Sequence, residues 1–141
     1  MPVSEDVAAG LVDRLAAYDR VVEVAIGRRV DVAAALVDRG RCVTATDVHE
    51  RTVPEEVRFV RDDVVEPELS VYMGADAIYA VNLPPELHRP ALDVAREVDA
   101  DLLFTTLGGD EPTIPVEREP LATETLYVSA RGCGRPGDPR S

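Results

Sequence analysis

The chain has 141 residues, 45% of them hydrophobic, and 27 acidic side chains against 15 basic ones give a formal charge of −12. This length fits one domain with a hydrophobic core. The longest apolar run, residues 32–37, is far shorter than the about 18 residues of a membrane span. We expect a protein with no membrane contact. The first residues lack a basic flank and an apolar stretch, which predicts no secretory signal and a cytoplasmic location.

The basic residues are all arginine, and lysine is absent. Together with abundant Asp and Glu and few aromatic residues, this composition resembles that of haloarchaeal cytoplasmic proteins. Molar salt shortens the Debye length to about 3 Å, which screens the repulsion among excess acidic charges. The same salt removes the counterion release that drives binding to phosphates, so a nucleic-acid partner is not expected.

The first third of the chain alternates between helical and extended patterns. Ser4, followed by two acidic residues, predicts a capped helix that runs to about Tyr18. Residues 20–26 are rich in β-branched side chains and predict a buried strand. Residues 32–39 are compatible with a helix that ends at Gly40.

The same alternation continues more weakly. Residues 42–46 predict a second strand that closes on Asp47, and residues 58–60 predict a third. A helical or irregular crossover is expected over residues 67–72, before a fourth strand over residues 77–81.

The next helix opens at Pro84 and Pro85, because proline at the first helical position loses only an amide that would be unpaired. It is expected to end near Val98. The remaining segments are predicted as a fifth strand over 101–106, a loop over 107–120, a last strand over 123–129 and a disordered tail over 131–141.

Strands that alternate with helices over short connections predict a parallel sheet covered on both faces. We therefore expect an α/β, Rossmann-like three-layer αβα fold with a mostly parallel sheet of five or six strands. Residues 1–130 would form this single domain.

In such sheets ligands bind at the carboxyl ends of the strands, near the point where the strand order reverses. Gly27 follows the first strand, where it permits a close backbone approach, although a simple turn explains it equally well. Asp47 stands twenty residues later, at the end of the second strand, where an acid can accept hydrogen bonds from ribose hydroxyls. The alternative for Asp47 is a loop cap.

Three further acids are candidates for ligand binding. Glu23 lies inside an apolar strand, and an isolated buried carboxylate is costly enough to need a partner. It either receives loop amides or a ligand amino group, or escapes at a sheet edge. Asp62 and Asp63 follow the third strand, where one of them can contact an adenine edge unless both are simply solvated.

The fourth strand ends in Asn82, with Pro84 and Pro85 close behind. The Asn82 amide and the carbonyls made rigid by the prolines could hold an amine at the strand tip. The alternative is an ordinary helix start. The two histidines, His49 and His88, are isolated and favour surface positions, and their spacing predicts no metal site.

These residues, in order and spacing, resemble the nucleotide-binding half of class I S-adenosylmethionine-dependent methyltransferases. The segments Val-Glu-Val-Ala-Ile-Gly, Gly-Ala-Asp-Ala-Ile-Tyr, Pro-Pro-Glu-Leu and Ala-Asp-Leu-Leu further resemble a small archaeal family, the uncharacterised protein family numbered 0146. The resemblance covers about residues 21–108 and implies a Rossmann-like, methyltransferase-like fold.

Carried over residue by residue, the methyltransferase resemblance implies a role for each candidate. Glu23 and Gly27 would lie near the methionine end of the cofactor, Asp47 on its ribose, and Asp62 or Asp63 near its adenine. The residues facing the methyl acceptor would be Asn82, Pro84 and Pro85. The sequence departs from the pattern where Ala25 replaces a glycine, Leu83 interrupts the Asn-Pro-Pro order, and Glu86 replaces an aromatic residue.

Three functional hypotheses follow. The first is a domain that binds an adenosine-containing ligand, S-adenosylmethionine before others, and methylates an acceptor. The second is a non-catalytic module that binds NAD or another nucleotide and acts through a homo-oligomer or a partner protein. The third is a structural domain with a vestigial pocket.

Overall fold

A computed structural model describes residues 4–131. Within this range three α-helices and seven strands alternate, with two short 3-10 turns at Leu69–Val71 and Pro85–Leu87. The helices are α1 (Glu5–Leu15), α2 (Asp31–Asp38) and α3 (His88–Val98), and the strands are β1 (Arg20–Glu23), β2 (Cys42–Asp47), β3 (Arg58–Arg61), β4 (Ala77–Ala80), β5 (Asp101–Phe104), β6 (Glu117–Leu121) and β7 (Glu124–Ser129).

The strands form one sheet in the order β3-β2-β1-β4-β5-β7-β6. β1 to β5 pair in parallel, whereas β7 runs antiparallel to both β5 and β6. From β1 the chain builds outward through β2 and β3, and it then returns to add β4 and β5 on the other side. The strand order therefore reverses between β1 and β4, which puts the expected ligand crevice beside their carboxyl ends.

Helices cover both faces of the sheet because neighbouring residues of a strand point to opposite sides. Val21 of β1 packs into the core beneath α1 and α2, with Leu11 and Leu36. Val22 packs into the second core beneath α3, with Leu92. The three-layer αβα arrangement that the sequence predicts is confirmed.

The count of five or six strands is wrong, because the segment expected to be a loop contains β6. Its sequence, Glu-Arg-Glu-Pro-Leu, carries charges and a proline that do not indicate a strand. Among the strands of residues 4–131, β6 lies at the edge of the sheet and pairs with β7 alone. At an edge, a charged strand with Pro120 is tolerated because one side needs no ladder hydrogen bonds.

The element ends differ from the predictions by a few residues. β1 stops at Glu23 rather than near Ile26, because Ala25 adopts a left-handed conformation with φ of 56°. The N-cap of α1 is confirmed by the bond from the Val7 N–H to the Ser4 hydroxyl at 3.2 Å. The helix expected from Pro84 begins as a 3-10 turn and becomes α-helical at His88.

The expected tail begins within the described residues. The Arg131 backbone N–H donates to Asp101 Oδ1 at 2.6 Å, and its guanidinium donates to the Asp76 carbonyl at 3.0 Å. Residues 132–141, the rest of the expected tail, lie outside the described range. Across residues 4–131 no helix is both long and apolar enough to cross a bilayer.

The turn between β6 and β7 contains a residue in a strained conformation, Ala122. It adopts φ of 55°, a region that costs a non-glycine residue roughly 1–2 kcal/mol. We expect Ala122→Gly to raise the free energy of unfolding by about 0.5 kcal/mol after the greater freedom of unfolded glycine is subtracted. Urea unfolding in molar KCl measures it. Ala34→Gly in α2 is the control and should lower the same quantity by about 1 kcal/mol; a loss of similar size for both variants would contradict the interpretation.

Candidate functional site

The loop that follows β1 is held by the acid at the end of β2. Asp47 Oδ2 accepts a hydrogen bond from the Gly27 N–H at 2.8 Å, and Oδ1 accepts one from the His49 N–H at 2.9 Å. Gly27 adopts φ of 62°, which suits a residue without a Cβ. The twenty-residue interval therefore corresponds to a direct contact between Gly27 and Asp47.

The charge of Asp47 is stabilised in place. Burial favours the neutral acid, but the amides of His49 and Gly27 and the nearby Arg51 guanidinium outweigh burial and lower the pKa of Asp47 below its usual value. The guanidinium Nε lies 3.4 Å from Oδ1, an ion pair rather than a well-formed hydrogen bond. Asp47 is therefore both the expected acid at the strand end and the loop cap that the sequence left as an alternative.

Glu23 is the last residue of β1, directly before the same loop, and is almost fully buried. Its Oε1 accepts a hydrogen bond from the Tyr79 hydroxyl of the adjacent strand β4 at 2.6 Å. Within residues 4–131 its second oxygen accepts none. Burial is the largest influence and raises the pKa of Glu23 to about 8, which the Tyr79 hydrogen bond only partly offsets. The side chain is thus largely protonated at neutral pH. Its hydrogen bond with Tyr79 joins β1 to β4, the two strands between which the strand order reverses.

A cavity of about 620 Å³ opens beside the loop and the first turn of α2. Its lining residues are Ile26, Arg28, Arg29, Val30 and Asp31. Neither Glu23 nor Asp47 is among them. The two carboxylates therefore do not open together onto this cavity.

The two acids after β3 are used differently. Asp62 accepts from the Tyr72 hydroxyl at 2.6 Å and from the Glu68 N–H at 3.0 Å, so both its carboxylate oxygens are occupied. Among the described residues, the Asp63 carboxylate accepts only from the Val65 N–H, through Oδ1, and Asp63 is exposed. Because Asp62 anchors the crossover, Asp63 is the one whose Oδ2 has no protein donor among the described residues.

The tip of β4 is held through its backbone. The Asn82 N–H donates to Thr105 Oγ1 at 2.9 Å, and the Leu83 N–H donates to the Thr105 carbonyl at 2.8 Å. Asn82 adopts φ of 55°. Its side-chain amide is half-buried and makes no hydrogen bond within residues 4–131. Pro84 and Pro85 lie between this tip and α3, where Pro85 opens the 3-10 turn.

The structure thus brings most of the candidates to one edge of the sheet. Glu23 precedes the β1 loop, Gly27 lies within it and Asp47 accepts a hydrogen bond from it. Asn82 lies at the tip of β4, the strand beside β1 in the sheet. Left-handed backbone lies on both sides of the reversal point, at Ala25, where it costs roughly 1–2 kcal/mol, and at Asn82, a residue type that adopts it more readily. Strain of this kind persists only where the surroundings impose it, and it clusters at functional sites.

His88 is the residue that the sequence analysis missed. It is fully buried, although an isolated histidine favours the surface, and its ring nitrogens contact the Leu83 carbonyl and the Thr113 N–H. Its position four residues after Pro84, on the apolar face of α3, was the available signal. Cys42 is exposed and contributes nothing to this edge. No cluster of three or more metal-ligating side chains exists within the described residues.

The sequence comparisons place the chain in a family. The model of the Uncharacterised protein family (UPF0146) matches residues 6–131. The chain belongs to this family. A relative from Halobacterium salinarum is 58% identical over 116 residues, which cover 82% of this chain and 90% of that protein. A relative from Archaeoglobus fulgidus is 50% identical over 91 residues, 64% of this chain and 70% of its own.

Among the solved structures with a similar fold are two methyltransferases. An RNA methyltransferase from Salinibacter ruber in complex with S-adenosyl-L-homocysteine has a TM-score of 0.68 and 14% identity, with 98% of both chains covered. A TehB-like S-adenosylmethionine-dependent methyltransferase from Corynebacterium glutamicum has a TM-score of 0.63 and 18% identity, covering 91% of this chain and 89% of that one. At such low identity the likeness shows the fold alone, and this family member has a methyltransferase-like α/β fold.

The buried acid makes a pH-dependent prediction. A carboxyl with a folded pKa of about 8 and an ordinary value of 4.5 stabilises the fold fully below pH 4.5, and this contribution is lost as pH rises toward 8. We expect Glu23→Gln to become more stable relative to the native chain by about 1.4 kcal/mol per pH unit across that window. Urea unfolding at several pH values in molar KCl measures the difference.

Tyr79→Phe is the matched control, because it removes the hydrogen-bond donor but leaves the buried carboxyl in place. Its free energy of unfolding should keep the same fall with pH. A native chain whose stability runs parallel to that of Glu23→Gln from pH 4.5 to 8 would show that Glu23 is already ionised in the folded protein.

Proposed function

We propose that this chain binds S-adenosylmethionine at the carboxyl-end edge between β1 and β4 and transfers its methyl group to an acceptor at the tip of β4. The observation that carries the proposal is the Asp47 carboxylate holding the Gly27 amide where the strand order reverses. This contact shapes the loop before any ligand arrives. The S-adenosylhomocysteine in structures of the same fold supports this ligand over NAD.

The proposed pose begins with the ribose. A carboxylate has about four acceptor positions, and the amides of Gly27 and His49 use two of those on Asp47. The remaining positions can accept ribose hydroxyls. Asp63 is exposed and its Oδ2 has no donor among the described residues, whereas Asp62 anchors the crossover, so we assign the adenine edge to Asp63.

The methionine end of the ligand would lie over Gly27 and the first turn of α2, where the cavity opens. Glu23 directly precedes this loop at the end of β1. A ligand ammonium close to it would favour the ionised carboxylate and lower the pKa of Glu23 from about 8.

Methyl transfer needs the acceptor aligned with the sulfonium more than it needs acid or base catalysis. The free side-chain amide of Asn82 suits this task because the backbone of the tip, not the side chain, holds the tip in place. Pro84 and Pro85 restrict the chain behind it. Together these three residues would form the wall that the acceptor meets.

Ligand binding is tested by calorimetry in molar KCl with S-adenosylmethionine, S-adenosylhomocysteine and NAD. We expect binding of the first two, and Asp47→Ala should weaken it at least tenfold, about 1.4 kcal/mol, because the loop anchor and the ribose acceptor are both lost. Asp47→Asn, which keeps an acceptor oxygen, should lose less.

Asp13→Ala is the control, since it removes only a surface ion pair with Arg39. Heat with NAD alone would favour a non-catalytic NAD-binding module. No heat with any of the three compounds would contradict ligand binding at this edge, and unchanged affinity in Asp47→Ala would indicate a vestigial pocket.

Methyl transfer is tested with radiolabelled S-adenosylmethionine and a haloarchaeal cell extract as the source of acceptor. We expect Asn82→Ala to bind the cofactor within threefold of the native affinity and to lower the transfer rate about a hundredfold, as misalignment of an acceptor does. Arg89→Ala, an exposed change on α3, is the control. Equal rates for the native chain and Asn82→Ala would contradict the role of Asn82, and no label transfer by the native chain would contradict catalysis.

A further inference from the structure

The tip of β4 depends on a buried imidazole that no part of the proposed chemistry uses. His88, the first residue of α3, is fully buried, and its ring packs on Phe104 of β5 with centroids 4.6 Å apart. Nε2 lies 3.0 Å from the Leu83 carbonyl oxygen, and the Thr113 N–H reaches Nδ1 at 3.2 Å. The ring therefore joins the loop after β4 to the loop after β5.

The two partners determine the protonation of the ring. A backbone carbonyl only accepts and a backbone N–H only donates. His88 must therefore donate from Nε2 and accept at Nδ1, which is the neutral imidazole with its proton on Nε2. A second proton, on Nδ1, would point at the Thr113 N–H and break that contact.

The atoms that His88 contacts lie next to Asn82, the residue proposed to face the methyl acceptor. Leu83 directly follows Asn82, and both of their N–H groups donate to Thr105. Thr113 returns to the tip through its hydroxyl, which donates to the Pro85 carbonyl at 3.4 Å. His88 thus supplies the buried side of a clamp whose other members are backbone groups and threonine hydroxyls.

This clamp explains why Asn82 holds a left-handed backbone although its side-chain amide makes no hydrogen bond among the described residues. A left-handed asparagine often bonds its own backbone neighbours, but here every polar contact of the tip uses main-chain atoms of residues 82–85. The amide of Asn82 is left unbonded among the described residues. A positioning network requires that the backbone be fixed by buried hydrogen bonds while one side chain stays available for the ligand.

We propose that His88 is a positioning residue: as a neutral imidazole it fixes the Asn82 tip against the loop 105–116, so that the acceptor meets a preformed wall. The acceptor part of this proposal rests on the proposed methyl transfer, whereas the clamp itself does not. Because the clamp joins the two loops, residues 105–116 would also line the acceptor site, on the β5 side of β4.

The clamp is tested without ligand by NMR on the full chain in molar KCl at pH 7. Ring ¹⁵N shifts of His88 should show a protonated Nε2 and an unprotonated Nδ1. In His88→Phe, which keeps the ring stacked on Phe104, the amides of Asn82, Leu83 and Thr113 should exchange with solvent at least tenfold faster, while amides of β1 and β2 keep their rates. His88→Gln, which retains a donor toward the Leu83 carbonyl, should restore part of the protection of Asn82 and Leu83.

Val94→Ala is the control, because it weakens the packing of α3 without removing a hydrogen bond of the tip. It should speed exchange without singling out the tip. A doubly protonated or Nδ1-protonated ring in the native chain would overturn the clamp, as would faster exchange spread evenly over all amides of His88→Phe, which would mark a purely structural residue. Unchanged exchange at the tip in His88→Phe would overturn it as well.

The role of His88 in positioning the acceptor is tested by measuring methyl transfer with the same variants. We expect His88→Phe to bind S-adenosylmethionine within threefold of the native affinity and to lose at least tenfold in transfer rate, with partial recovery in His88→Gln. Faster tip exchange with an undiminished transfer rate would reject the positioning role but keep the clamp. If the native chain neither binds the cofactor nor transfers methyl groups, the proposed function and the acceptor part fail together, and the exchange data alone decide whether His88 clamps the tip.

Discussion

The hydrogen bond from the Gly27 amide to the Asp47 carboxylate is the constraint on which the candidate site depends. It connects the loop after β1 to the end of β2, and it does so beside the point where the strand order reverses. A charged acceptor makes such a bond stronger than one between neutral groups. Because the carboxylate also accepts from His49, the loop is held at its middle by a side chain that is itself fixed. The first turn of α2 and the adjoining cavity follow from the position of that loop.

The second constraint lies in the buried polar pair between β1 and β4. The Tyr79 hydroxyl donates to Glu23 across the two paired strands between which the strand order reverses. A carboxyl kept largely neutral by burial avoids the high cost of an unpaired buried charge. The edge of the sheet therefore combines an ionised acid, Asp47, with a largely protonated one, Glu23. Burial dominates at Glu23, whereas at Asp47 two backbone amides and the Arg51 guanidinium outweigh it.

The sequence patterns predicted the parallel half of the fold well. The β-branched runs at β1 and β2, the glycine after α2 and the interval between Gly27 and Asp47 are local signals, and each corresponds to an observed element or contact. β6 was missed because its charges and its proline are compatible with a strand only at a sheet edge next to β7. The early end of β1 was missed for a related reason, since nothing in the residues around Ala25 indicates a left-handed turn.

The sequence by itself determined which chemical groups stand at the ends of the strands, because hydrophobic periodicity and turn residues act over a few positions along the chain. It determined the alternation that makes a parallel sheet and the acidic, lysine-free surface. Only the tertiary structure decided that Asp62 anchors a crossover while Asp63 keeps an oxygen free, that Glu23 is paired with Tyr79 of the adjacent strand, and that His88 is buried between two loops. Those outcomes depend on hydrogen bonds whose partners are selected by packing. The bonds at Glu23 and His88 join residues 56 and 25 positions apart, beyond the reach of any local sequence pattern.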